Sequence, residues 1–564
     1  MIVSSFDIFD TCLVRKCGTP ESLPDLLSLR AFIDAVPGEV RQEFVAERYL
    51  VQKRIYKASM TLSDIWDSFA WSHPLLRSKS ELIAIEMQLE RDLLVPVPAI
   101  LEQVNQCRRK GHRILFISDM YLPSAFLKEV LSRYDFYKQG DGLYVSCECD
   151  AEKWTGELFR YVSKHEVLSF RNWTHYGDNY SADVLAPKRL GIKVIPVCHD
   201  YTPLQLKWCR QDCSLRYPYA DVMAGLGRAM VLNNSTDIDA HFVCDIIAPF
   251  YASMLYRMMA DAHSKGIRRL YFCARDTYML YQMAQEYAPL FPDLSIHFLY
   301  ISKQALYHGN ELAKEKYFLQ VGLATRDCKV AIVDIHSSGK TLVVLNQWMR
   351  EHNYSQVRGY YYMMYVRGDN QYHPTNYYAE ANAINIGRVS RKSTLSANFI
   401  MELQEHFVGI NNLRRTIDYA IDGDSANPVF ASDNIVDAEE THSVIVKNKD
   451  IRVAAHERML VDYAKAWVEL QLYRYADEIF ASIAIPSLYN FLSQPDECYL
   501  RPLYEIEYID NNASKKHRQF VKHCSFIELL VTHGRNTIWR HATKYVSIPH
   551  WMQQNRIAAR LFRL

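Results

Sequence analysis

Five residues near the start of the chain have the types that phosphoryl chemistry requires. Asp7 stands in Phe6-Asp7-Ile8-Phe9-Asp10-Thr11, Ser118 in Ile117-Ser118-Asp119-Met120, and Asp178 and Asp183 in Gly177-Asp178-Asn179-Tyr180-Ser181-Ala182-Asp183. Lys153 falls between the last two segments, just ahead of a helical pattern. A carboxylate can attack phosphorus, a hydroxyl and an ammonium can neutralise the phosphoryl oxygens, and an acidic pair can hold a hard cation. These residues are far apart in sequence, so the fold must bring them together. Short β-rich runs at Met1-Phe9, Arg113-Ile117, Gly142-Val145, Asn172-Tyr176 and Ile192-Val197 alternate with helical patterns, which predicts a parallel sheet covered on both faces. In such a sheet the carboxyl ends of the strands share one crevice, and each candidate residue lies at or just after a strand end.

The order of these motifs resembles the haloacid dehalogenase-like (HAD) hydrolase superfamily over about residues 1 to 200, including a helical cap inserted at about 20 to 110. The resemblance implies a Rossmannoid α/β domain with magnesium-dependent phosphatase activity. Asp7 would be the nucleophile, Ser118 and Thr11 would contact the phosphoryl oxygens, and Lys153 would balance their charge. Mg²⁺ would be held by Asp7, the backbone carbonyl of Phe9, Asp178 and Asp183, with Asn179 an alternative to Asp183. The chain departs from the family at Phe9, where a second aspartate ordinarily serves as general acid and base. Asp10, one place further on, is the candidate replacement, and loss of such a group costs about 10² to 10⁴ in rate.

A second α/β pattern begins near residue 240, with a helix over Ala240-Ser264 and strands at Arg269-Cys273, Ser295-Ile301, Lys329-Asp334 and Gln356-Met364. The run Val333-Asp334 leads into Ile335-His336-Ser337-Ser338-Gly339-Lys340-Thr341 and then a helix, a turn whose N–H groups suit a phosphate. It is not a nucleotide P-loop, because Asp334 occupies the position that needs glycine, so ATP is not expected. The segment resembles the phosphoribosyl-pyrophosphate loop of phosphoribosyltransferases. On that resemblance Asp334 would meet the ribose hydroxyls and Ser337, Ser338, Gly339, Lys340 and Thr341 the 5-phosphate. Arg275, Asp276 and Lys303, on neighbouring loops, would serve the pyrophosphate side of the site. The family carries two adjacent carboxylates, whereas Asp334 is followed by Ile335. Glu402, Glu405 and His406 have the helical spacing of an acceptor base or of a solvated face, and a packing domain in which Asp334 only caps a helix is the plainer alternative.

Joined in one chain, the halves resemble two-domain ribofuranosyltransferases of bacterial surface polysaccharides. A phosphoribosyltransferase-like module would add ribose 5-phosphate from phosphoribosyl pyrophosphate to a glycan acceptor, expected to be lipid-linked. The HAD-like module would then remove the phosphate. The expected organisation is a HAD-like domain at 1–200, a linker at 201–239, a phosphoribosyltransferase-like α/β domain at 240–430 and a helical region at 431–564. The competing readings are a phosphatase for a soluble sugar phosphate with a non-catalytic second half, and a pair of degenerate domains acting as an assembly partner.

Composition narrows the classes. With 564 residues, 49% hydrophobic and 23% charged, and only 20 Gly and 20 Pro, the chain is a multi-domain globular protein and neither disordered nor collagen-like. Lys plus Arg (65) balances Asp plus Glu (64), so no overall field recruits nucleic acid and none is expected as a partner. The 13 Cys show no C-x-x-C pair and read as reduced thiols. The first residues lack a signal-peptide pattern, and the apolar window Phe242-Ala260 is broken by Asp245 and Arg257, so a cytoplasmic protein is expected. After Glu528 the chain carries Arg535, Arg540, Lys544, Arg556, Arg560 and Arg563 among Trp539, Trp551, Ile557, Leu561 and Phe562. Such a basic amphipathic tail suits peripheral contact with the inner face of an anionic membrane, and equally suits an acidic surface of its own chain.

Overall fold

The computed structural model describes residues 2–18, 22–210, 218–337, 339–366, 376–384, 413–431, 442–446, 448–510, 517–525, 528–529, 532, 537 and 539–548. The chain divides into two units, Met1–Thr236 and Asp237–Leu564.

In the first unit β1 (Val3–Phe6), β4 (Arg113–Ser118), β5 (Gly142–Val145), β6 (Trp173–Gly177) and β7 (Lys193–Pro196) form a parallel sheet in the order β5-β4-β1-β6-β7. β1 is buried throughout, as expected of a central strand covered on both faces. Val3, Leu115, Ile117 and Trp173 pack on the helix Glu157–His165 through Leu158, Phe159 and Val162. A short antiparallel pair, β2 (Leu13–Arg15) with β3 (Leu94–Pro96), forms the stem from which the cap rises.

The cap consists of the helices Leu23–Ser28, Gly38–Arg54, Leu62–Asp67 and Lys79–Leu93. Reciprocal capping boxes, Thr61 with Asp64 and Ser78 with Glu81, start the last two. Inside, Arg48 grips Glu86 through Nε (3.2 Å) and Nη2 (2.5 Å), and Trp66 Nε1 donates to the same carboxylate at 3.0 Å. Arg15 makes a second buried fork on Glu90, at 2.9 and 3.0 Å. Planar two-point pairing lets these charges stay buried, and it ties the stem to the last cap helix. The inserted helices therefore end at Leu93 and not near 110: Pro98–Arg109 is the helix that leads directly into β4.

The segment 201–239 is not an irregular linker. It contains the helices Pro203–Arg210 and Pro218–Asn233, and up to Thr236 it belongs to the first unit. Ala229 of the second helix packs with Val14 and Val97 of the stem. Gly225 lies so close to the loop before the cap that a Cβ there would come 1.8 Å from the Gly18 nitrogen, so only glycine permits this packing. Pro203 and Pro218 open helices, where proline costs no hydrogen bond, and do not mark a loop.

The second unit carries β8 (Ile267–Cys273), β9 (Ser295–Leu299), β10 (Lys329–Ser337), β11 (Val357–Val366) and β12 (Tyr377–Ile384), parallel in the order β12-β11-β10-β8-β9. The order reverses at β8 and β10, which makes their carboxyl ends a topological switch point. β10 does not stop at Asp334. It runs on to Ser337 because the longer β11 offers partners, His336 opposite Met363 and Ser337 opposite Met364. The region after 431 is helical over Lys449–Glu469 and Ile485–Ser493, and it also contains the short antiparallel strands β15 (His442–Val446), β16 (Ile506–Asp510) and β17 (His517–Gln519). Ahead of them, β13 (Thr416–Asp422) and β14 (Ser425–Phe430) form a hairpin. Of these, β15 pairs with β16 across a long sequence separation, which leaves little local pattern. No helix of the described residues is long and apolar enough to cross a membrane.

Candidate active site

The chain leaves β1 with Asp7 N still bonded to Tyr176 O at 2.8 Å, then turns tightly, with Leu13 N on Ile8 O (2.8 Å) and Asp10 N on Leu13 O (2.7 Å). Asp10 adopts a left-handed φ of 55°, which aspartate tolerates better than most residues. On the neighbouring strands, Ser118 closes β4 and Asp178 follows β6. Asp183 sits in the π-helical turn Tyr180–Leu185, capped by Asn179, whose Oδ1 accepts from Ser181 N and Ala182 N. Gly177 makes room for it: a Cβ there would lie 2.5 Å from Asp183 Cβ.

Lys153 joins the elements. Its backbone N–H is held by both Asp119 oxygens (2.9 and 3.0 Å), and its buried ammonium donates to Asp7 Oδ1 (2.5 Å) and Asp183 Oδ1 (2.7 Å). Carboxylate oxygens of Asp7, Asp178 and Asp183 all lie within 4.8 Å of one another, with Asp7 and Asp183 buried and Asp178 exposed. Thr11 Oγ1 donates to Asp178 Oδ1 at 3.1 Å. Three carboxylates against one ammonium leave two negative charges uncompensated, and the all-oxygen donor set is that of a hard divalent cation.

The electrostatics separate two carboxylates that share one ammonium. Burial pushes the Asp7 carboxyl well above the usual range; Lys153 opposes this, while Asp183 and Asp178 add to it. Asp183 is buried too, but Lys153 and His175 hold it well below that range. Asp7 therefore carries the proton most readily when the cluster lacks a cation. Asp178, though open to solvent on one side, is raised by partial desolvation and by the Asp10 and Asp183 carboxylates, and Asp119 chiefly by burial.

These residues open into a cavity of about 720 Å³, with Asp7, Phe9, Asp10, Ser118, Lys153 and Asp178 on the sheet side. Arg48, Tyr49, Lys53, Tyr56 and Lys57 of the cap face the same space. Phe9 presents a ring under Arg15, whose guanidinium carbon is 4.3 Å from its centre. The structure thus brings Asp7, Asp10, Thr11, Ser118, Lys153, Asp178 and Asp183 to one place. The sequence reading missed Asp119, His175 and Arg228. Asp119 stands beside Ser118 and was legible there, whereas Arg228 lies in the segment read as linker.

In the second unit, Arg275 and Asp276 follow β8 and Asp334 lies near the end of β10, on either side of the switch point. Asp334 and Asp276 both add to the burial that raises the Cys273 thiol, so the two carboxylates bear on one spot. The buried hydroxyls of Tyr251 and Tyr361 have no hydrogen-bond partner there. Ser337 lies in β10 and not in a phosphate-binding turn. Gly339, at φ 77°, precedes the helix Lys340–Glu351, which contains Lys340 and Thr341. The Lys340 ammonium lies 5.3 Å from the Tyr307 ring centre. Lys303, exposed, begins a helix capped by Ser302. Ser338, Glu402, Glu405, His406 and the tail from Trp551 onward lie outside the described residues.

No family model matches the chain, and no curated protein does. Among solved structures, a HAD phosphatase from Thermococcus onnurineus is similar at 19% identity over 36% of this chain and 87% of that one, with a TM-score of 0.27. A HAD family enzyme from Bacteroides thetaiotaomicron, solved with magnesium and inorganic phosphate, is similar at 15% identity over 36% of this chain and 99% of that one, again with a TM-score of 0.27.

Proposed function

We propose that the first unit is a magnesium-dependent phosphatase of the HAD type and that the whole chain is a bifunctional ribofuranosyltransferase of bacterial O-antigen or capsule biosynthesis. The observation that carries the first part is the buried Lys153 ammonium bridging Asp7 and Asp183, with Asp178 within cation-binding reach. Asp7, Asp178 and Asp183, with the Phe9 backbone carbonyl, would hold Mg²⁺. When bound there, the cation lowers the repulsion between the Asp7 carboxylate and a phosphate ester. Asp7 then attacks phosphorus, the ester P–O bond breaks, and an aspartyl phosphate remains until water releases inorganic phosphate. Ser118, Thr11 and Lys153 would bind the phosphoryl oxygens, and Asp10 would give a proton to the departing alkoxide and take one from the attacking water.

The second part rests on Asp276 and Asp334 flanking a switch point. In this reading Asp334 orients the ribose of phosphoribosyl pyrophosphate. Arg275, Asp276 and Lys303 serve the departing pyrophosphate, and Gly339, Lys340 and Thr341, with Ser337 and Ser338, serve the 5-phosphate. The product of that transfer is a 5-phosphorylated ribofuranosyl group, the kind of ester the first unit would hydrolyse. Two sites on one chain raise the effective concentration of that intermediate. The acceptor would be a glycan, lipid-linked, met at the inner membrane face by the basic tail.

Phosphorus NMR with phosphoribosyl pyrophosphate and lipid-linked glycans tests the scheme. Donor consumption that Asp334→Asn abolishes, with hydrolysis of a simple phosphate ester retained, is the expected result. Ester hydrolysis with no donor consumption by the unaltered protein would leave a phosphatase for a soluble sugar phosphate.

A further inference from the structure

We infer that His175 is a positioning residue, which fixes the Asp183 carboxylate in the orientation that receives a divalent cation. The inference rests on the reading of Asp7, Asp178 and Asp183 as a cation site. His175 belongs to β6, is fully buried, and lies directly behind the acidic cluster. Its Nε2 is 3.0 Å from Asp183 Oδ1, and its Nδ1 is 2.7 Å from Ser5 Oγ on the adjacent strand β1, where Ser5 and His175 are register partners. Trp173 Nε1 donates to the same Ser5 oxygen at 2.7 Å.

The direction of this chain follows from donor chemistry. An ionised carboxylate only accepts, so the contact with Asp183 needs a proton on Nε2. A neutral imidazole then has a bare Nδ1, which must accept, and the Ser5 hydroxyl supplies the proton. Indole N–H only donates, so Trp173 fills the remaining side of Ser5. The result is a one-way relay of hydrogen bonds from Trp173 through Ser5 and His175 to Asp183. The edge contact of His175 with Phe159, at 5.0 Å between ring centres and 79°, holds the ring plane.

Asp183 needs this support because its other partners are shared. The Lys153 ammonium on Oδ1 is also held by Asp7, and Oδ2 accepts from Asn179 N at 3.1 Å. Without His175, Oδ1 would depend on an ammonium that the nucleophile also claims. A neutral ring in this place orients the carboxylate without cancelling the negative charge that attracts the cation. Second-layer partners of this kind change metal affinity by about 10- to 100-fold when removed.

Calorimetric titration of the full chain with Mg²⁺ tests the inference, with each variant's fold checked by circular dichroism. His175→Phe keeps the ring and removes both nitrogens, and should weaken Mg²⁺ binding by about 10- to 100-fold. His175→Gln can still present an N–H to Asp183 and should stay within about threefold of the unaltered protein, rescuing most of the loss. Equal weakening in both variants, or a His175→Phe affinity within twofold of the original, would overturn the inference. Should His175→Phe not fold, two-bond proton–nitrogen spectra of histidine-labelled protein decide it: a protonated Nε2 with a bare Nδ1 is expected, and a protonated Nδ1 overturns it. If the unaltered chain binds no Mg²⁺, and Asp183→Asn changes nothing, the cation-site reading itself fails.

Discussion

Arg228 Nη2 donates to Asp10 Oδ1 at 2.6 Å, joining the loop after β1 to a helix that begins at Pro218. The same guanidinium reaches His199 O at 3.3 Å and lies 4.6 Å from the Tyr201 ring centre, while His199 Nε2 donates to Thr11 O at 3.3 Å. The segment after β7 therefore holds the loop Asp7–Thr11 from outside the sheet. Held in this way beside Asp7, Asp10 would orient the water that releases phosphate.

Such a role in the second step has a kinetic signature. Asp10→Asn should slow turnover by about 10² to 10⁴ and let the aspartyl phosphate accumulate, measured by acid quench and hydroxylamine trapping. Slow turnover with no trapped phosphoenzyme would place the role of Asp10 in the first step instead. Arg228→Ala should produce a milder form of the same defect.

Asp7→Asn and Lys153→Met should each cost roughly 10⁴-fold or more in phosphate release, without adding when combined, because the two side chains act as one unit. Asp7→Asn should also melt at a higher temperature than the unaltered protein in the absence of cation. The raised Asp7 carboxyl opposes folding once pH exceeds its ordinary range, and the amide carries no such charge. A lower melting temperature for this variant would contradict the assigned burial cost.

The acid limb of kcat/KM should move with Mg²⁺. Burial raises Asp7, and below its folded pKa it is protonated and cannot attack, so activity rises with pH through that value. A cation favours the carboxylate, so a tenfold increase in sub-saturating Mg²⁺ should shift the limb toward lower pH by up to about one unit. A limb that stays in place across Mg²⁺ concentrations would show that proton and cation do not compete at Asp7.

In the second unit, Asp239 is buried between Arg452, at 2.8 and 2.6 Å, and His456 Nε2, at 2.8 Å. These partners hold its carboxyl below the usual range despite burial. Its stabilising contribution is therefore complete above the ordinary carboxylate pKa and is lost as pH falls through the lower folded value. Asp239→Ala takes the two-point carboxylate from a buried guanidinium, which keeps Pro502 O at 3.0 Å and Glu505 at 3.8 Å, and should cost about 3–5 kcal/mol at neutral pH, measured by denaturant unfolding. An effect below 1 kcal/mol would mean the cluster relaxes into water.

The strand-end residues were legible because their signal is local. An apolar run ending in Asp7, Ser118 or Asp178 is visible in a few positions, and a parallel sheet necessarily gathers its strand ends. The two α/β patterns and the insertion after β1 were legible for the same reason, as periodicity within short windows. The stop of β10 was misjudged because Asp334 looks like an end, and only the length of its neighbour β11 carries the strand to Ser337. The segment 201–239 was misjudged because Pro203 and Pro218 read as breakers, whereas in the folded chain they open helices.

Asp7, Ser118, Lys153, Asp178 and Asp183 could be named from the amino-acid order alone, by their places at or between predicted strand ends and by the resemblance of that order to a known family. The partners around them could not: Arg228 for Asp10, His175 for Asp183, Asp119 for the Lys153 backbone, Glu86 for Arg48 of the cap and Glu90 for Arg15 of the stem. Those pairings join residues as much as 218 positions apart through single hydrogen bonds. Such bonds leave no periodicity along the chain, because their geometry exists only after two strands or a strand and a helix have packed.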